Sequence, residues 1–391
     1  MYEVITVILI IPPAITLVLT LSLLGLHCFN RSAPKMVKEL PTTSILLPFY
    51  NEEMDVLEQV LAKLELQRYS HPLQIVLIDD GSTNQTPELL KKWLTEPRKQ
   101  NYQLLTRKKN GGCKGQALDY ALNSNLDLGQ VYVVVDSDTF VAPNGIAQLV
   151  SKLWENPQCA AVCGSLAPQN VQRTLLDKIQ FYELIGFHTA IRSAQDSLGY
   201  VPILSGAFVA HRASAVMVVG GWSSWLVEDI SWCWKALAMG YQTGYAANAL
   251  ATTNCPQTMA AFFRQRRRWA RGRIEAYMTT WRISVCRGIC FTPWFLITSV
   301  QLLFPPGLIM IPLLLYFQFW IPVILSAFTI ILYLAITWIF VTFHQNRQNI
   351  SLNNILLAPF YILSLEILVW IPNVLGYIDE LTRKKKNWLT R

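Results

Sequence analysis

The chain has 391 residues, of which 52% are hydrophobic and only 15% charged, with a formal net charge of +8. About a quarter charged is usual for a soluble domain, so an ordinary soluble globular protein is excluded. The apolar residues gather at the two ends, which implies a polar middle between membrane segments. The positive charge clusters beside those apolar runs, which excludes a nucleic-acid binder.

Residues 4–28, VITVILIIPPAITLVLTLSLLGLHC, are long enough to span a bilayer. Glu3 alone precedes the run, while Arg31, Lys35 and Lys38 follow it. A cleaved signal peptide would carry its positive charge in front. The expectation is an uncleaved anchor, with linker, over 1–40, its C-terminal side in the cytoplasm.

Residues 41–280 alternate strand-like and helix-like patterns. SILLP (44–48), IVLID (75–79), YQLLTR (102–107) and VYVVVD (131–136) read as buried strands. DVLEQVLAKLELQ, TPELLKKWL and QALDYALNS read as the helices between them. This alternation predicts an α/β domain with a mostly parallel, Rossmann-like sheet and helices on both faces. Ligands of such sheets sit at the carboxyl ends of the strands.

At those ends stand PFYNEE (48–53), DDGS (79–82) and DSD (136–138). Each alone is an ordinary turn or helix cap. Together they bring acids and an aromatic ring to one edge, which suits a nucleotide-diphosphate sugar. Asp136 and Asp138 can face one hard cation, Mg2+ or Mn2+, which accepts carboxylate and phosphate oxygens together. Asp79 or Asp80 can accept from a base edge, and Tyr50 can stack on it. Lys114, after the glycines of KKNGGCKG, can reach the diphosphate or remain a solvated loop lysine.

Glu228-Asp229 opens the aromatic-rich stretch LVEDISWCWKALAMGY. Paired acids there are either helix N-terminal residues favoured by the dipole or a base for an acceptor hydroxyl. FFRQRRRWARGR (262–273) then sets six arginines around one tryptophan and one glutamine. Arginines beside a membrane fix topology; they also suit an anionic ligand.

In the C-terminal region, 281–391, an interfacial helix is expected near 279–299. Spans are expected at about 300–319, 321–343 and 355–378. The tail RKKKNWLTR is basic, which places it in the cytoplasm. Three full spans would put it outside, so one segment lies in the membrane plane or the charge rule fails. The eight cysteines form no CxxC pair and no zinc spacing.

The ordered set PFYNEE, DDGS, NGGCKGQAL, DSD, SGAF, VED and QRRRW resembles the membrane-embedded family 2 glycosyltransferases. These are the processive β-glycosyltransferases such as cellulose, chitin, hyaluronan and poly-N-acetylglucosamine synthases. The resemblance covers about residues 42–275, and the stretch from LSGAF to RQRRRWARG is most similar to bacterial poly-N-acetylglucosamine synthases. It implies a cytoplasmic GT-A domain with flanking transmembrane helices in the bacterial inner membrane. Pro48, Tyr50, Glu52, Asp79, Asp80, Lys114 and Asp136 would hold the UDP-sugar donor, and Asp138 with Asp136 the Mg2+ or Mn2+. Asp229, beside Glu228, would be the general base of an inverting transfer. Ser205, Gly206, Gln265, Arg268 and Trp269 would lie at the acceptor and diphosphate. Arg266 and Arg267 fall outside the QxxRW positions, so replacing either with lysine is expected to preserve topology and most activity.

This chain departs from the pattern at Cys113, an extra residue, at Asp119 for Asn, at Val227 for Thr and at Ser231 for Asp. No central acid is lost, which speaks against a non-catalytic subunit of an export complex. A processive synthase elongating a polysaccharide, with room for an accessory membrane subunit, is the leading expectation. Transfer of one sugar to a lipid acceptor, or a hyaluronan-like polymer, stand beside it. The donor is expected to be UDP-N-acetylglucosamine.

Overall fold

The computed structural model describes residues 2–29, 39–169, 173–222, 225–348 and 352–385. The strands are β1 (Thr43–Phe49), β2 (Gln74–Asp79), β3 (Asn101–Thr106), β4 (Val131–Val135), β5 (Thr139–Val141), β6 (Cys159–Pro168), β7 (Phe208–Arg212) and β8 (Gln242–Thr253). They form one sheet in the order β3-β2-β1-β4-β7-β6-β8-β5. The four strands expected from the sequence are β1 to β4, and their mutual pairings are all parallel. The other half is mixed: β7 runs antiparallel to β4 and β6, and β5 antiparallel to β8.

Register decides which loops meet. Phe49 pairs with Asp79 and Asp79 with Thr106, so β1, β2 and β3 end level. Val134 lies beside Leu46, so the residues after β4 leave at that same edge. Because β7 is antiparallel, its first residue, Phe208, lies opposite Val135. The reversal delivers the loop before β7, with Ser205 and Gly206, to the edge where β4 ends.

Helices cover both faces. On one side lie α2 (Met54–Glu65), α3 (Thr86–Trp93) and α5 (Gly145–Trp154). The buried positions of α2, Leu57, Val60, Leu61 and Leu64, repeat at three and four residues and make one apolar stripe. On the other side lie α4 (Lys114–Leu122), α8 (Ala213–Val219) and α9 (Glu228–Ala238). Helix α8 stops at Gly220, whose φ of +87° only a glycine adopts without strain. Between β6 and β7 run α6 (Leu175–Tyr182), a π-helical turn (Glu183–His188) and α7 (Thr189–Asp196). Thr174 and Asp177 cap α6 reciprocally.

The remaining helices are α1 (Tyr2–Phe29), numbered first in the chain, α10 (Met259–Ile283), α11 (Val285–Leu303), α12 (Gly307–Tyr316), α13 (Trp320–Gln348) and α14 (Leu352–Leu381). Among the described residues, three segments are long and apolar enough to cross a membrane: Tyr2–Ser22, Val285–Leu303 and Leu356–Leu381. Gly307–Tyr316 and Trp320–Ile336 are shorter apolar helices. The segment 300–319, expected as one span, is divided. Pro305-Pro306 end the hydrogen-bond ladder of α11, and Gln318, with φ +60°, turns the chain before α13.

Helix α14 stays against the rest of the fold along its described length. Ala358, Tyr361 and Ile362 join Phe181, Tyr182 and Phe262 in one buried cluster. Further on, a Cβ at Gly376 would stand 2.5 Å from the carbonyl oxygen of Arg267, so only glycine permits this approach to α10. Asp379 accepts two bonds from Arg267, at 2.5 and 2.8 Å, and Glu380 pairs with Arg271 at 3.1 Å. Residues 382–385 therefore emerge beside α10. The far tail, 386–391, lies outside the described residues.

Candidate active site

Three loops are tied together at the carboxyl edge. Asn51, with φ +50°, accepts from the backbone N–H groups of Thr83 and Asn84, at 2.7 and 3.3 Å. Its own N–H donates to the Ser82 hydroxyl at 2.9 Å. The Glu52 carboxylate accepts from the Ser137 hydroxyl at 2.5 Å. PFYNEE thus touches both DDGS and DSD. Pro48 is buried in β1, and Tyr50 is half-buried just beyond it.

Asp79 is buried and accepts from the Ser82 N–H at 2.8 Å, which shapes the turn. Asp80 pairs with Arg107 and accepts from Gly111 N–H at 3.2 Å. Burial raises the Asp80 carboxyl above its ordinary value, and Arg107 and Gly111 pull it back. Sequence reading did not single out Arg107. It directly follows the third strand, and the strand-end rule that found the acids would have found it.

The centre of the edge is Lys114. Its ammonium, almost fully buried, pairs with Asp136, approaches Glu228 at 3.3 Å and donates to the Gly206 carbonyl at 2.9 Å. Burial opposes its charge, but the carboxylates of Asp136, Glu228 and Asp229 outweigh that and raise its pKa. The solvated-loop alternative for Lys114 does not hold: the glycine turn delivers it inward as the first residue of α4.

Asp229 is held from two sides. One oxygen accepts from Gly206 N–H at 2.8 Å, the other from Ile230 N–H at 2.7 Å. A Cβ at Gly206 would meet that carboxylate at 2.6 Å, so a side chain there would displace it. Burial, then the charge of Glu228, push Asp229 up to about 6, while Lys114 and the two N–H groups restrain it. Asp138, two residues beyond Asp136, is within 3.4 Å of the Thr253 hydroxyl. Asp136, Asp138, Gly206, Glu228 and Asp229 thus share one edge with Lys114.

Two of the departures, Asp119 and Val227, have local reasons. Asp119 accepts from Trp222 N–H at 2.7 Å, fixing the loop after α8. Val227 packs so tightly on Gly272 that a Cβ there would approach it within 2.3 Å. Glu275 accepts from Leu226 N–H at 2.8 Å. These two contacts fasten α10, with Gln265, Arg268 and Trp269, beside the loop that carries Glu228 and Asp229. The Trp269 ring also packs on the core cluster that includes Trp232 and Trp234.

The expectation that Arg266 and Arg267 are replaceable by lysine is corrected. Arg266 is buried and forms two bonds to Glu183, at 2.5 and 2.6 Å. Arg267 forms two to Asp379. Lysine offers a point charge where each site uses a planar fork. Glu183 escaped the sequence reading because its partner lies 83 residues away.

A model described as glycosyl transferase family group 2 matches residues 132–341, more than half of the chain. The chain belongs to that family. The match begins in β4, just before Asp136, and runs through α9 and α10 into α13, so the matched region of this glycosyltransferase includes Asp229 and the arginine helix. Over 254 residues, 64% of this chain, it is 29% identical to the poly-β-1,6-N-acetyl-D-glucosamine synthase of Staphylococcus aureus (strain MSSA476). It is also 29% identical over 250 residues to the probable glycosyltransferase YdaM of Bacillus subtilis (strain 168). The chain spans 59% of the length of either relative. The mannosyltransferase PcManGT from Pyrobaculum calidifontis, solved with GDP-Man and Mn2+, superposes with a TM-score of 0.62 at 19% identity. That alignment covers 95% of this chain and 99% of the mannosyltransferase, and it shows a shared GT-A-like fold.

Proposed function

We propose that this glycosyltransferase performs an inverting transfer from UDP-N-acetylglucosamine to a hydroxyl of a growing β-linked chain at the membrane. The observation that carries the reading is the Asp229 carboxylate, held by Gly206 N–H beside Lys114 and raised to about 6. A base of that pKa is ionised at neutral pH and still takes a proton readily. The polymer and the sugar are supported by the likeness to the staphylococcal synthase.

Asp136 and Asp138 fit a divalent cation of the Mg2+ or Mn2+ type. Among the described residues no three His, Cys, Asp or Glu side chains form a closed cage. Two carboxylates at a strand end suit a cation that completes its shell with phosphate oxygens and water. Bound there, the cation would neutralise charge growing on the leaving diphosphate. Lys114 would stabilise the same charge, and Asp79, Asp80 and Tyr50 would seat the uridine. Trp269 would offer a flat face to the acceptor sugar, and Arg268 a two-pronged donor to the diphosphate.

A second reading has its own observation. Helix α14 is docked along α10 and α6, so we read it as an interfacial helix, with residues 382–385 beside α10 on the side of the transferase domain. That leaves fewer crossing helices to wall a polymer path, which favours transfer of a single sugar to a lipid. Incubation of membranes with labelled UDP-N-acetylglucosamine, UDP-glucose and UDP-glucuronate, separately and in pairs, tests the donor. Incorporation from the first alone is expected; incorporation only when UDP-glucuronate is present would favour a hyaluronan-like polymer instead.

Two further outcomes follow from the site. Asp138→Ala should abolish the divalent-ion dependence of UDP binding, measured by calorimetry with and without Mn2+. Unchanged Mn2+ dependence would remove Asp138 from the metal role. Transfer should also rise with pH through about 6 and level off above it, because a group raised to about 6 is protonated below that value. A profile flat from about pH 5 to 8 would mean that no base of that pKa limits the reaction.

A further inference from the structure

We propose that Glu183 and Arg266 together are positioning residues that hold the Trp269 ring at the angle the acceptor sugar requires. The proposal rests on the reading of Trp269 as an acceptor contact. Phe262, Arg266 and Trp269 lie at i, i+4 and i+7 on one face of α10. The Arg266 guanidinium sits over both rings, 4.6 Å from the Phe262 centroid and 4.4 Å from the Trp269 centroid. Phe262 is only 1% exposed and is fixed in the cluster with Phe181, Tyr182 and Tyr361. From the other side Glu183 grips both terminal nitrogens of Arg266. The flat plate against which Trp269 rests is therefore fixed in position and in tilt.

The choice of residues points to orientation and not to stability. A buried ion pair gives little net stability over apolar side chains of similar volume. It does set geometry, because a guanidinium fork meets a carboxylate in one plane. Glu183 also opens the π-helical turn, and such turns are frequent at functional sites. Trp269 itself is only partly buried, and it also contacts the core cluster that packs around α9. A small rotation of the plate would tilt the ring, and an ångström of misplacement costs about 100-fold in favourable cases.

Removing one partner alone would strand a buried charge, so the decisive variant is the double one, Glu183→Leu with Arg266→Met. In detergent-purified enzyme the KM for UDP-N-acetylglucosamine should stay within about twofold, while the KM for a soluble β-linked N-acetylglucosamine oligosaccharide rises roughly 10- to 100-fold. Arg266→Lys, which keeps the charge but loses the fork, should fall between parent and double variant. An acceptor KM within about twofold of the parent in both would overturn the proposal. Trp269→Ala separates the two layers. If it raises the acceptor KM while the double variant does not, the positioning role is wrong and the Trp269 reading stands. If Trp269→Ala leaves the acceptor KM unchanged, the Trp269 reading fails and the proposal fails with it.

Discussion

Asp229→Asn is expected to retain UDP binding and to lose transfer by about 100- to 10,000-fold, the usual cost of removing a general base. Asparagine has nearly the same shape. Its amide oxygen can still accept from Gly206 N–H, as the carboxylate does at 2.8 Å, so the loop before β7 should keep its place. What disappears is the proton acceptor. The loss should appear in kcat with little change in the KM for donor, because the interaction lost is one made only in the transition state. Radiolabel transfer and UDP calorimetry on the same preparation check both halves. Turnover near the parent's would assign the base elsewhere.

Lys114→Ala is expected to damage both fold and activity. Lys114 pairs with Asp136, lies 3.3 Å from Glu228 and binds the Gly206 carbonyl. Without it these acids, and Asp229 beside them, face one another uncompensated. Stranding buried charge typically costs about 3–5 kcal/mol, which thermal unfolding in detergent would detect. The pH profile should move as well. Lys114 restrains the Asp229 pKa, so its removal should shift the rise in any residual transfer to higher pH. A stable variant with an unmoved profile would contradict the electrostatic role assigned to Lys114.

The first half of the domain was legible because its residues announce their structure. SILLP, IVLID and VYVVV are β-branched or leucine-rich runs bounded by turn residues, and each ends in the acids that matter. The second half was not. β6, CAAVCGSLAP, and β8, QTGYAANALATT, are rich in alanine and glycine, which have weak strand preference. They are strands because of their neighbours: a Cβ at Gly164 would strike the Phe208 ring at 2.3 Å. The antiparallel β7 was equally hidden, although it brings Gly206 to Asp229.

The arginine stretch shows the same limit at finer scale. Its charge was visible, and so was its place beside apolar helices. The division of labour within it was not, since Arg266 and Arg267 find their carboxylates 83 and 112 positions away. Local sequence gives no sign of such partners. Arginine in a buried setting is itself a clue, because lysine serves as well for a purely topological charge while a two-pronged pair needs the planar fork.

The most direct test of the account is the structure of the product. Membranes carrying the protein are incubated with Mn2+ and UDP-N-acetylglucosamine labelled at the anomeric carbon, and the product is sized and its linkage read by NMR. A single displacement assisted by Asp229 on an α-linked donor predicts β-linked N-acetylglucosamine, in material of high mass. An α-linked product would contradict the inverting mechanism, and one sugar on a lipid would contradict polymerisation.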